Sequence, residues 1–164
     1  RAYIMREMNE LFGNDVNTQV DNNEVIKSDR TERYACEKIE NTLDIKMPSF
    51  FYFPDELEYQ SYSLDEEAGV GILQYSYGEQ IIFLTVISNE KSASVLEQND
   101  AGVSIETFHN ELVPELEITL WKIEDKEDKM PTYSLKWEYK NCYYEFFGKI
   151  EKDEMEHIAE NIVY

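Results

Sequence analysis

Between Pro131 and Tyr164 the sequence spells out a strand, a tight turn, a second strand and a helix. In 132–139 the alternation is strict: Tyr133, Leu135, Trp137 and Tyr139 fall on one side, and Thr132, Ser134, Lys136 and Glu138 on the other. That is the period of a half-buried strand. Lys140-Asn141 supplies a two-residue turn, since Asn tolerates the left-handed conformation a hairpin needs. Cys142–Phe147 returns as the partner strand and Gly148 breaks it. Met155, Ile158, Ala159 and Ile162 then recur at i, i+3, i+4 and i+7, one apolar stripe of a helix. Two amphipathic strands and one helix cannot bury these faces by themselves, so the rest of the chain must complete a sheet beneath the helix.

From the N-terminus, Ile4, Met5, Met8, Leu11 and Phe12 fall at helical spacing over residues 2–12. Such a Met-bearing stripe packs on its own domain more often than it docks a partner helix. Gly13 ends it, and Asn14–Glu24 reads as a polar loop with room for a short strand at Val16–Val20. Asp15-x-Asn17-x-Gln19 resembles a calcium loop, but Val20 stands at the sixth position and Ile26 at the twelfth, so the pattern fails. Asp29 followed by Glu32 gives a capping-box start for a second helix, with Ala35, Cys36, Ile39 and Leu43 as its apolar face and Met47-Pro48 as its stop. Phe50, Phe51, Tyr52 and Phe53 follow, bracketed by Pro48 and Pro54. They read as the cover of one end of the core or as a binding platform.

Strands are then expected at Leu57–Ser63, Gly69–Tyr77, Ile81–Ile87, Val103–His109, Glu115–Ile123 and in the two C-terminal runs. Gly78-Glu79 fits a type II′ turn. The almost wholly apolar Ile81–Ile87 is a central strand covered on both faces. Ser88–Asp100 is a long polar connection, and the alternating charges of Glu124–Lys129 read as a solvated hairpin tip. Hairpin-linked strands with helices near the chain ends predict an α+β fold: an antiparallel sheet of about six strands with N-terminal and C-terminal helices packed on one face. The other face is expected to be open, partly covered by the N-terminal segment, or curled into a half-barrel. At 164 residues the chain reads as a single domain over 1–164, with residues 1–28 as N-terminal helix and polar loop and residues 29–164 as the core.

Charge narrows the function. Mean hydropathy is −0.58 although 42% of residues are hydrophobic, because 35 Asp and Glu face 15 Lys and Arg, a formal net charge of −20. Such a surface repels nucleic acid and anionic headgroups; the acidity reads first as solubility, and otherwise as attraction to cations or to a basic partner. No apolar run of about 18 residues spans a membrane. The chain opens at Arg1 without an initiator Met, so an anchor or signal before it is expected. Cys36 and Cys142, distant in sequence and without zinc-like spacing, allow one disulfide without demanding it, and read first as a pair of buried thiols.

Three segments carry a resemblance. Trp137–Gly148 (WEYKNCYYEFFG) and Glu154–Ile162 (EMEHIAENI) resemble the ending of the uncharacterised domain-of-unknown-function family 4367. That ending is a Trp-bearing strand, a turn, a Tyr-rich strand, Gly and an apolar-striped helix. Met47-Pro48 followed by Phe53-Pro54-Asp55 resembles the same family's proline-flanked approach to its first strand. Here Phe53 stands in place of Leu, Glu56-Leu57 in place of Gly-Tyr, and Glu151 and Asn161 where Ser is usual. The resemblance implies an extracytoplasmic domain of a Gram-positive bacterium, often behind one membrane span and sometimes in an anti-sigma-factor-like protein. It brings no catalytic residues.

The residues themselves offer little chemistry. G-x-S-x-G, P-loop, G-x-G-x-x-G and H-E-x-x-H patterns are absent, and two histidines, His109 and His157, do not make a multi-histidine metal site. His157 lies off the helical stripe, and His109 lacks an identifiable partner for base catalysis. No catalytic, cofactor-binding or metal-ligating residue is assigned, and no cofactor is expected. The expectation is a non-enzymatic sensor or interaction domain with a protein partner at the cell envelope, tied to the membrane only through an N-terminal anchor. The alternatives are a carrier of an apolar ligand or lipid on a concave sheet face and, with only the abundance of acids behind it, a hydrolase. The candidate ligand or partner surface comprises Tyr75, Tyr77, Trp121, Tyr143 and Phe147.

Overall fold

The computed structural model describes residues 31–88 and 102–164. The elements are α1 (Glu32–Leu43), β1 (Ser49–Phe50), β2 (Leu57–Asp65), β3 (Val70–Tyr77), β4 (Gln80–Ile87), β5 (Val103–His109), β6 (Glu117–Ile123), β7 (Thr132–Tyr139), β8 (Cys142–Gly148), α2 (Lys152–Glu160) and β9 (Ile162–Val163). β2 to β8 form a seven-stranded antiparallel sheet in the order β2-β3-β4-β8-β7-β6-β5, and β1 pairs with β9. The fold is α+β, with one more strand in the main sheet than the expected six. The N-terminal helix and the loop over residues 1–28, and most of the Ser88–Asp100 connection, lie outside the described residues.

The hairpins form where turn chemistry placed them. Lys140 and Asn141 both have positive φ, and Gly78 has φ 59° ahead of Glu79. Their strands pair in register, Tyr139 against Cys142 and Tyr77 against Gln80. Central β4 lies between β3 and β8, matching its apolar run.

Three helical boundaries differ from the expectation. The N-cap of α1 is Thr31, whose Oγ1 accepts from the Tyr34 N–H at 3.0 Å, and not Asp29. α1 ends at Asp44, in the left-handed conformation, before Pro48 is reached. Ile162 is buried not in α2 but on β9, opposite Phe50.

Alternation divides the sheet into two apolar layers. One face carries Leu73, Tyr75, Ile82, Leu84, Leu135, Trp137, Tyr144 and Phe146, packed with Ala35 and Ile39 of α1 and Met155, Ile158 and Ala159 of α2. The approach of α1 is close: a Cβ on Gly71 would meet Ile39 Cγ2 at 2.8 Å. The opposite face carries a smaller cluster of Val70, Ile72, Phe83, Ile87, Ile123 and Phe147.

Candidate functional site

Where α1 ends, the chain folds back beneath it as the aromatic segment, and the space between the two is a cleft of about 530 Å³. Its wall is one stripe of α1: Glu32, Arg33, Cys36 and Glu40. Its floor is Met47, Pro48, Phe50 and Phe53, and Tyr164 closes one side. The size is that of small-ligand and side-chain pockets.

The floor is rigid because it is part of the core. Phe50 and Phe53 stack at 4.5 Å, and both lie against Phe146 of β8, at 5.8 and 5.9 Å. The segment is pinned on each side: Phe51 N–H donates to the Asn161 carbonyl at 2.9 Å, and the Tyr144 hydroxyl donates to the Lys46 carbonyl. Asn110, buried, reaches across to donate to the Ile162 carbonyl at 2.5 Å, which holds β9 in place. Since neighbouring residues of an extended chain point to opposite sides, inward Phe50 forces Phe51 outward, where it remains 71% exposed. Of the two sequence readings, the cover of the core holds for Phe50 and Phe53, while Phe51 stands in solvent.

The wall is equally fixed. Glu32 accepts from the Tyr75 hydroxyl at 2.7 Å, and Glu40 accepts from the Met47 N–H at 3.1 Å. Burial, with the carboxylates of Glu32, Glu40 and Glu37 around it, pushes the Cys36 thiol up to about 12. Cys142 is also raised by burial, and the two cysteines are not bridged. On the closing side Tyr164 stacks on Tyr139 at 3.8 Å and accepts from the Trp137 indole at 2.8 Å. Burial, then the neighbouring Tyr144, raises its phenol far above the ordinary value. These shifts keep the thiols and phenols protonated, the reverse of what a nucleophile needs.

The five residues marked out from the sequence do not form one surface. Tyr75 and Tyr77 lie on the helix-covered face: Tyr75 is buried in the core, and the Tyr77 hydroxyl donates to Glu151 at 2.7 Å. Trp121, Tyr143 and Phe147 lie on the opposite face. Phe147 is buried against Phe83 at 5.7 Å, Tyr143 packs at the margin of that cluster, and Lys136 sits 5.2 Å over the Trp121 ring. His109 is exposed at the end of β5, the strand expected there, and His157 is exposed on α2, edge-on to Tyr52 at 5.4 Å.

Sequence reasoning passed over the α1 wall as a site, because a helix with an apolar stripe reads as core and its flanking charges as solvated. It also passed over Lys149. That side chain is 2% exposed and pairs with Asp125 at 3.1 Å and Asp128 at 2.6 Å, so the charged loop between β6 and β7 is tied down at two points. A shallower depression of about 550 Å³ beside the β7–β8 turn is lined by Glu115, Glu117, Glu138, Tyr139, Lys140 and Asn141. Among the described residues no group of three or more His, Cys, Asp or Glu is arranged to hold a metal ion, and no helix is long and apolar enough to cross a membrane.

A family model described as a domain of unknown function (DUF4367) matches residues 47–162. The match opens at Met47, so it takes in the aromatic floor, both sheets and α2, while the α1 wall precedes it. No curated protein and no solved structure matches the chain.

Proposed function

We propose that this chain, which belongs to the DUF4367 family, is a non-enzymatic interaction domain on the outer side of a bacterial membrane, receiving an apolar side chain of a positively charged protein partner in the α1 cleft. The observation that carries the reading is Phe51: a large aromatic side chain, 71% exposed, directly after β1 and next to Phe50 of the cleft floor, with its N–H pinned to the Asn161 carbonyl. Exposed aromatics on rigid frames beside a pocket are the usual anchors of protein interfaces, because ordering them on binding costs little entropy. The net charge of −20 selects a basic partner and speeds its encounter. The protonated thiols and phenols around the cleft support recognition over nucleophilic chemistry. The carrier alternative draws less support, since its aromatic residues divide between the two faces of the sheet.

The test is a photo-reactive amino acid placed at Phe51 and, in a separate variant, at Glu79 in the β3–β4 turn, with the protein expressed in intact cells. The reading expects one crosslinked protein of basic character at position 51 and none at 79, reachable by a reagent that does not cross membranes. Identical products at both positions, or none at 51, would contradict it.

A further inference from the structure

Among the described strands, β2 and β5 bound the seven-stranded sheet, and the two edges are finished differently. α1 packs on β2, and none of the exposed large apolar side chains among the described residues lies there. α2 approaches β5 on the helix-covered face, where Phe108 is buried, and the rest of that strand stays exposed. Val103 is 66% and Ile105 40% exposed, and Thr107 is exposed as well. In an antiparallel pair every second residue turns its N–H and C=O away from its neighbour, so a strand paired on one side presents a row of donors and acceptors on the other. Lysine, proline or a bulge usually blunts such a row. Residues 103–109, VSIETFH, hold neither lysine nor proline. One bulge lies between Ser104 and Glu106, and regular pairing with β6 resumes from Glu106 to His109.

Charge narrows what this edge can take. Glu106 stands in the middle of β5, Glu117 lies opposite His109, and Glu111 and Glu115 are exposed in the connection between β5 and β6. Lys122, opposite Val103, is already paired with Glu124 at 3.0 Å. A second copy fits badly. Antiparallel pairing of two β5 strands over their whole length sets Glu106 against Glu106, like charges directly opposed, and joins two chains of net charge −20. A short flexible peptide fits badly too, because ordering each residue costs about as much as its hydrogen bonds return. What fits is a strand that is already extended and carries positive charge.

We infer that β5 is a second interaction surface, on which the edge strand of a folded, basic protein adds to the sheet. A lysine or arginine of that strand lies opposite Glu106, and its apolar side chains lie against Val103 and Ile105. The main-chain bonds supply the affinity, and Glu106 selects the partner. This surface is independent of the cleft, whose α1 wall packs on β2 and β3 at the other end of the strand order.

The test uses the isotope-labelled chain and a cyclised hairpin peptide whose strands alternate lysine with valine. A second hairpin carries glutamate in place of lysine. In the free protein every second amide of 103–109 should exchange fast with solvent. The lysine hairpin at low salt should slow those amides about tenfold, and the glutamate hairpin should leave them unchanged. Glu106→Lys, at an exposed position, should reverse the preference. Protection of those amides in the free protein would mean that the chain itself closes the edge, and would overturn the inference. So would a concentration-dependent dimer that protects them, an equal response to both hairpins, or a response to the lysine hairpin at the cleft residues alone. The comparison of the two hairpins on the unaltered protein decides even where Glu106→Lys does not fold.

Discussion

Lys149 is the residue on which most depends relative to how little it announces itself. Burial alone would pull its ammonium down, but the hydrogen bonds it donates to Asp128 and Asp125 outweigh burial and hold it above the ordinary lysine value. The partners are held low in turn: Asp125 chiefly by the Glu127 N–H and then by Lys149, Asp128 chiefly by Lys149 and then by the Met130 N–H. Lys149→Ala should cost about 1–3 kcal/mol in urea unfolding, less than for a fully enclosed pair because Asp128 is partly in solvent and rehydrates. The sign of the pH dependence follows. Carboxylates with depressed folded values stabilise the fold above their unfolded values near 4 and lose that contribution as pH falls through the folded ones. The urea midpoint should therefore drop as the pH falls below about 4, and Asp128→Asn should flatten that drop. Cys36 gives a second check: with its thiol near 12, iodoacetamide at pH 8 should label it on the order of a hundred- to a thousandfold more slowly than a free thiol. Cys36 was already read from the sequence as a thiol on the apolar face of its helix, whereas for Lys149 no signal was legible beforehand. Alternation assigns a lysine after a glycine to the surface, and its partners lie 21 and 24 residues earlier on a loop without a period.

Helix ends carry the balance at the level of elements. α1 depends on the Thr31 cap, so Thr31→Ala should cost about 1 kcal/mol. It ends on Asp44 at φ 54°, a conformation Gly adopts without strain, so Asp44→Gly should add roughly 0.5–1 kcal/mol. Thermal unfolding of the two variants should move in opposite directions. α2 has no side-chain cap, because the carboxylate of Glu151 accepts from the Tyr77 hydroxyl instead, joining the helix start to the end of β3. The hairpins β3–β4 and β7–β8 were readable because two signals coincide in each: a period of two and a turn whose positive φ values suit its residues. The β1–β9 pair was hidden, since two-residue strands show no period, and the apolar Ile162 continued the stripe of α2 past its last turn.

Across the whole molecule, one antiparallel sheet separates two apolar layers of unequal size, with the cleft on the side of the helices. The architecture followed from the sequence because each strand repeats the same alternation. The aromatic surface proposed from the sequence dissolved because alternation says that two strands have faces without saying which faces coincide; pairing assigned Tyr75 and Phe147 to opposite sides. A net charge of −20 also strains the folded state by self-repulsion, so the melting temperature should rise as sodium chloride increases from 10 mM toward about 0.5 M. The same screening should weaken a basic partner. Isotope-labelled protein titrated with a pentapeptide bearing Trp between lysines, beside its glutamate-flanked counterpart, measures that most directly. The account predicts amide shifts confined to Arg33–Glu40 and Met47–Phe53 for the lysine peptide, with affinity about tenfold weaker in Phe51→Ala. Shifts elsewhere, equal response to both peptides, or no loss in Phe51→Ala would contradict it.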